Sequence, residues 1–121
     1  MIYPSELTEL ICETVPVFLV DAATGYIIFA RRPLELLFRH YVKDVLSSPP
    51  RPIETLFPIG VREALTSPEL WTNPLFVNGR THDGQMIPVA IQLAAGMFDD
   101  RRCVLGVVTD LSRHSAVTGD T

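Results

Sequence analysis

Residues 74–111 decide the fold, and they read PLFVNGRTHDGQMIPVAIQLAAGMFDDRRCVLGVVTDL. Three β-rich runs, at 74–82, 86–97 and 103–111, are separated by Asp83-Gly84 and by the charged segment 99–102. An Asp-Gly pair between two such runs is a strong hairpin signal. Pro88 lies inside the second run, and because proline has no amide to donate, it must sit at an edge or a bulge. The stretch therefore predicts three consecutive antiparallel strands.

Two further strands are predicted near the start of the chain, at 17–20 and 26–30. Between them, Asp21 can accept bonds from the following amides and Gly25 can supply a positive φ, so the pair should form a hairpin. Before the hairpin, residues 5–14 carry apolar side chains at helical spacing and end at a proline. This amphipathic helix would present Leu7, Leu10 and Ile11.

The middle of the chain is predicted to hold four short helical segments, at 33–41, 42–46, 53–57 and 59–66. The loop 47–52 contains three prolines and can be neither helix nor central strand. The whole order predicts an α+β fold, a five-stranded antiparallel sheet with short helices packed on one face. We divide the chain into an N-terminal helix (1–14), the folded domain (15–113) and a polar tail (114–121).

Composition limits the function classes. The chain has 121 residues, 47% of them hydrophobic, which suits one globular domain. A net charge of −4 argues against a duplex nucleic-acid surface. The apolar run 15–20 is too short to span a membrane and follows acidic residues, unlike a signal peptide, so we expect a cytoplasmic protein. No metal-spaced cluster, catalytic triad motif or phosphate loop occurs, which favours a non-enzymatic role.

Three stretches, in this order, resemble a PAS domain over residues 8–113. They are VFLVD at 17–21 with YIIFA at 26–30, RTHDG at 80–84 with MIPV at 86–89, and GVVTDLS at 106–112. One departure is Arg31, which stands where the family often has the Asn that caps the first helix. Another is the absence of the family's charged continuation after the closing strand.

The resemblance implies a sensory domain of a bacterial signal-transduction protein, non-catalytic, that regulates an attached or partner effector. Such domains bind small ligands between sheet and helices and often form homodimers, here through Leu7, Leu10 and Ile11. A ligand-free dimerisation or interaction module is the alternative. The closing strand would relay the signal through Asp110, Leu111 and Ser112. Alternation along the strands, with the helices as a roof, predicts a cavity, in which Gly106 would leave room over the sheet. Its predicted lining is Phe18, Val20, Ile28, Leu37, Phe57, Val61, Leu65, Trp71, Val89, Ile91, Leu93, Val104, Gly106 and Val108.

The cofactor stays open at this point. No cysteine lies between residues 52 and 66, which argues against cysteinyl-flavin photochemistry. Haem needs an axial ligand. The resemblance implies that haem would take its ligand from the family's longest helix, which we match to 59–66. That segment has no histidine, and only His40 could approach the cavity. A non-covalent flavin could use Trp71, Asn73 and Asn78. A small metabolite or fatty acid would need an apolar pocket and a cation for its carboxylate, and the candidates are Arg31, Arg32 and Arg62.

Overall fold

The computed structural model describes residues 15–47 and 49–112. Its sheet has five antiparallel strands in the order β2-β1-β5-β4-β3. These are β1 (Val17–Asp21), β2 (Ile27–Ala30), β3 (Leu75–Arg80), β4 (Met86–Phe98) and β5 (Arg101–Asp110). The predicted five-stranded α+β fold is confirmed. The predicted helix with Leu7, Leu10 and Ile11, and the tail 114–121, lie outside the described residues.

Each predicted turn forms for the reason its residues suggest. The Asp21 carboxylate accepts bonds from the amides of Ala23 (2.8 Å) and Thr24 (3.2 Å), and Gly25 has φ +74°. These contacts close the β1–β2 hairpin. Between β3 and β4, the Thr81 amide donates to the Gln85 carbonyl at 2.8 Å. The sequence signals for both hairpins are therefore confirmed.

Pro88 lies within β4 without disrupting the sheet. It pairs with Asn78 on β3, while pairing between β4 and β5 begins one residue later, at Val89. The side of β4 that faces β5 is thus a free edge at position 88. Proline occurs in strands at such positions because no ladder bond is lost there.

The helical segments lie on one face of the sheet and are shorter than predicted. They are α1 (Arg32–Phe38), α2 (Val42–Val45) and α3 (Val61–Leu65), with 3-10 turns at Ile53–Thr55 and Pro68–Thr72. As expected from the sequence, Arg31 precedes α1 without capping it through its side chain. Within the part of the chain that the structure describes, no helix is both long and apolar enough to cross a membrane.

The longest described helix is α1, so the prediction that 59–66 would be the longest is wrong. Gly60, with φ +101°, delays the start of α3 to Val61. At the other end, Pro68 pushes the preceding residue out of the helical region, and α3 ends at Leu65. The roof over the sheet is therefore made of helical segments of about one to two turns.

Candidate functional site

Aromatic rings fill the centre of the predicted cavity. Phe18 on β1 lies 5.5 Å from Phe57 between ring centroids, and Phe38 meets Phe57 edge-on at 5.4 Å. All three side chains are at most 1% exposed. Edge-to-face rings at this spacing attract each other beyond the area they bury. Three rings therefore pack between sheet and roof, with Phe57 in contact with the other two.

The glycine expected to leave room over the sheet instead accommodates one of these rings. A Cβ atom at Gly106 would lie 2.2 Å from Cζ of Phe18. Gly79 on β3 has the same relation to Phe38, with 2.2 Å to Cε1. At both positions the absence of a side chain lets a phenyl ring lie against the backbone.

Most of the predicted lining residues are nevertheless on the inner face. Leu37 and Trp71 are partly buried against the core, whereas the others, apart from Ile28 and Gly106, are buried within it: Phe18, Val20, Phe57, Val61, Leu65, Val89, Ile91, Leu93, Val104 and Val108.

Ile28 is the exception, and its neighbour Ile27 occupies the core in its place. The register of β1 and β2 shifts at a bulge between Leu19 and Val20, so Val20 pairs with Ile27. Alternation counted by twos cannot detect a bulge, because one extra residue exchanges the two faces.

One open cleft, here the Trp71 cleft, lies between the segment after α3 and the β4–β5 hairpin. Its volume is about 500 Å³, and it is lined by Ala22, Leu65, Pro68, Trp71, Ala95, Gly96, Met97, Arg102, Cys103 and Val104. Two hydrogen bonds fix Trp71: its indole N–H donates to the Ala64 carbonyl at 2.7 Å, and its own carbonyl accepts from Gln92 at 2.6 Å. Of the lining, our sequence analysis nominated Leu65, Trp71 and Val104; it missed Arg102 and Met97.

A second cleft, the Asp110 cleft, lies beside the end of β5. It has a volume of about 710 Å³ and is lined by Pro16, Pro33, Leu36, Leu37, Arg39, Thr81, Gln85, Ile87, Val108, Thr109, Asp110 and Ser112. The Asp110 carboxylate accepts from the amide (3.0 Å) and the hydroxyl (2.6 Å) of Ser112. The predicted relay residues Asp110 and Ser112 are therefore in direct contact.

His40 lies against the end of β3. Its Nε2 is 3.1 Å from the Arg80 carbonyl, and its ring meets that of His82 edge-on at 5.5 Å. Burial lowers the pKa of His40, and the nearby His82 lowers it further, while the Arg80 carbonyl and Asp44 act in the opposite direction. Among the described residues, no group of three or more His, Cys, Asp or Glu side chains could hold a metal ion.

The residues proposed for a flavin do not converge. Trp71 stands at the inner rim of the sheet, whereas Asn78 pairs with Pro88 and is exposed on the other face of β3. The indole N–H of Trp71 is already bonded to Ala64. Phe18, Phe38 and Phe57 occupy the centre between sheet and roof, where an isoalloxazine ring would have to lie.

Of the three arginines nominated for a carboxylate, Arg62 is engaged within the chain. Its Nε and one terminal nitrogen donate to Glu54, the latter at 2.9 Å, and the other terminal nitrogen donates to the Thr24 carbonyl at 3.1 Å. The bond from Arg62 holds the pKa of Glu54 below its usual value. Arg31 lies over the Phe29 ring at 5.4 Å, and neither Arg31 nor Arg32 is among the residues that line the Trp71 cleft or the Asp110 cleft. The bonds made by Arg62 connect the roof to the β1–β2 turn.

Comparison with known proteins identifies the fold. No known family model matches the sequence, and no curated protein matches it. Solved structures do. The PAS domain of an HTR-like protein from Haloarcula marismortui superposes with a TM-score of 0.70 at 16% identity, covering 88% of this chain and 89% of that one. A PAS domain from a two-component sensor histidine kinase gives 0.65 at 15%, covering 88% and 94%.

The PAS domain of nitrogen regulation protein NR(II) from Vibrio parahaemolyticus gives a TM-score of 0.66 at 14% identity, covering 86% of this chain and 96% of that one. The chain therefore has the PAS fold, as its three motif stretches suggested. The domains that it resembles include those of sensor kinases.

Proposed function

We propose that this chain is a PAS sensory domain of a bacterial signal-transduction protein. It acts in the cytoplasm, is not an enzyme, and regulates an attached or partner effector through ligand binding, homodimerisation or both. The likeness to PAS domains of a sensor histidine kinase and of a nitrogen regulation protein supports the class. Because fold alone does not specify function, the site residues must carry the mechanism.

The contact that supports a relay is the one between Asp110 and Ser112. Asp110 ends the central strand β5, and its carboxylate holds both the amide and the hydroxyl of Ser112. A shift of β5 against its neighbours would move this junction and whatever effector it contacts. Leu111, partly buried beside it, would move with the strand.

The relay is tested with Asp110→Ala in the full-length protein. We expect altered basal or signal-dependent output, because the Ser112 amide and hydroxyl lose their acceptor. Asp44→Ala, an exposed carboxylate on α2, serves as a matched control and should leave output unchanged. If Asp110→Ala behaves like Asp44→Ala in both measurements, the relay role is wrong.

The aromatic centre favours a second candidate, a ligand-free dimerisation or interaction module. Phe18 lies on Gly106 and against Phe57, so side chains of the protein itself occupy the centre of the domain. The ultraviolet-visible spectrum and native mass spectrum of the purified protein separate the two candidates. A chromophore band or a retained small mass supports sensing, whereas a dimer without added mass supports the interaction module.

A further inference from the structure

We propose that the Trp71 cleft binds an amphipathic monocarboxylate, with the hydrocarbon part on the apolar floor and the carboxylate on Arg102. The inference rests on the proposed sensory function and names the chemical class of its ligand. It places the ligand at the rim of the sheet rather than at its centre, which the rings of Phe18, Phe38 and Phe57 fill.

The Trp71 side chain, which forms one wall of the cleft, is held in place before any ligand binds. The Trp71 indole donates to Ala64 at the end of α3, and the Trp71 carbonyl accepts from Gln92 on β4. The ring is thus attached to the roof, and the backbone of the same residue is attached to the sheet. A wall that does not need to be ordered lowers the entropic cost of binding, since fewer rotamers are lost.

The floor is apolar. Leu65 and Val104 are buried beneath it, and Ala95 and Met97 of β4 lie exposed along it. The volume of about 500 Å³ falls within the range of small-molecule sites. A floor without polar side chains favours a hydrocarbon chain over a sugar or nucleotide, whose hydroxyl groups would lose their water without new partners.

The charge at the rim selects the head group. Arg102 is the one charged residue among those that line the cleft. Within residues 15–47 and 49–112, no carboxylate lies at ion-pair distance from Arg102, whereas Arg101 lies 3.6 Å from Asp21. A guanidinium group matches a carboxylate in two parallel hydrogen bonds. Arg102 therefore places a positive charge beside the apolar floor. The chain as a whole carries a net charge of −4.

The test is a titration of the purified full chain with sodium decanoate. Trp71 is the only tryptophan in the chain, so its fluorescence reports directly on the cleft. We expect saturable quenching or a spectral shift, and weaker binding of octanoate because it buries fewer methylene groups. Absence of a saturable response to decanoate, in fluorescence and in calorimetry, would overturn the proposal.

Two arginines next to each other in sequence give a matched pair of variants. Arg102→Gln should weaken decanoate binding about tenfold or more, since a charge-assisted bond is lost. Arg101→Gln removes the same charge from the neighbouring position and should change the affinity less than about twofold. Decanol, which has no charge, should bind wild type and Arg102→Gln equally. Equal effects of the two substitutions on decanoate would contradict recognition by Arg102.

Ala95→Phe fills the exposed floor and should abolish binding of both decanoate and decanol, with thermal unfolding confirming an intact fold. Decanoate binding that survives this substitution overturns the location. The relay role in the proposed sensory function fails by a different result, namely unchanged output of Asp110→Ala in the full-length protein. Each hypothesis can therefore fail while the other stands.

Discussion

The phenyl ring of Phe18 lies on the backbone of Gly106, and a Cβ atom there would lie only 2.2 Å from the ring. Both residues are on adjacent strands in direct register. Because Phe18 also contacts Phe57, it cannot move aside without displacing a second ring. This pairing places a phenyl ring where an open cavity over β5 would otherwise lie.

Gly106→Ala should therefore destabilise the domain by about 1–3 kcal/mol, the usual range for overpacking a core. Gly96, on the neighbouring strand β4, is the matched control, because a Cβ atom there meets nothing within 4 Å. Gly96→Ala should leave the free energy of unfolding unchanged or slightly raised. Urea unfolding measures both. Equal stabilities of the two variants would show that Phe18 accommodates the extra methyl group.

Arg62→Gln should cost up to about 1 kcal/mol at neutral pH, since the pair with Glu54 is partly exposed and screened by solvent. The Arg62 bond lowers the pKa of Glu54, so its stabilisation is present above the pKa of the unfolded chain and is lost as pH falls through the lower folded value. The difference in the free energy of unfolding between wild type and Arg62→Gln should therefore vanish in strong acid. Arg32→Gln, exposed and outside this contact, should show no such convergence.

His40 should make the domain less stable in mild acid. Burial lowers the pKa of His40 in the folded state, so the unfolded chain takes up the proton first. Stability is thus complete above the unfolded pKa of about 6.5 and falls as pH drops through it. In His40→Gln this decrease in the free energy of unfolding with falling pH should disappear. Urea unfolding midpoints between pH 7.5 and 5 provide the measurement, and parallel slopes for both proteins would contradict the role of His40.

Cys103 should react slowly with alkylating reagents. Its side chain is buried on β5, and burial together with Asp21 raises the pKa of the thiol. Only a local opening exposes the thiolate, so in a Cys12→Ser background we expect modification on the order of 100-fold slower in buffer than in denaturant. Iodoacetamide labelling followed by mass spectrometry measures the rates. Comparable rates in the two solutions would show that the strand opens readily.

Local signals were enough to predict the sheet. Asp83-Gly84 and the Asp21–Gly25 turn specify hairpins through their own backbone needs, so the strands and the hairpins that join them could be inferred with no knowledge of packing. The same reasoning fails for Ile28. A bulge depends on how two strands pair, so the alternation of side chains along one strand does not reveal it.

The site was harder to predict than the fold. Gly106 indicated free space over the sheet, but which side chain enters such a space is a matter of three-dimensional packing. Phe18 and Gly106 are far apart in sequence, and no spacing rule joins them. Arg102 was missed because a charged residue in a hairpin ordinarily faces solvent, and only the fold brings it beside Trp71.

One consequence of the strand order concerns mechanics. Residues 103–107 of β5 are paired on both sides, with β1 and β4. Arg102 at one end lines the Trp71 cleft, and Asp110 at the other lines the Asp110 cleft, about 27 Å away at the usual rise per strand residue. A strand that is hydrogen-bonded along both edges resists bending, so the two clefts lie at opposite ends of one stiff element.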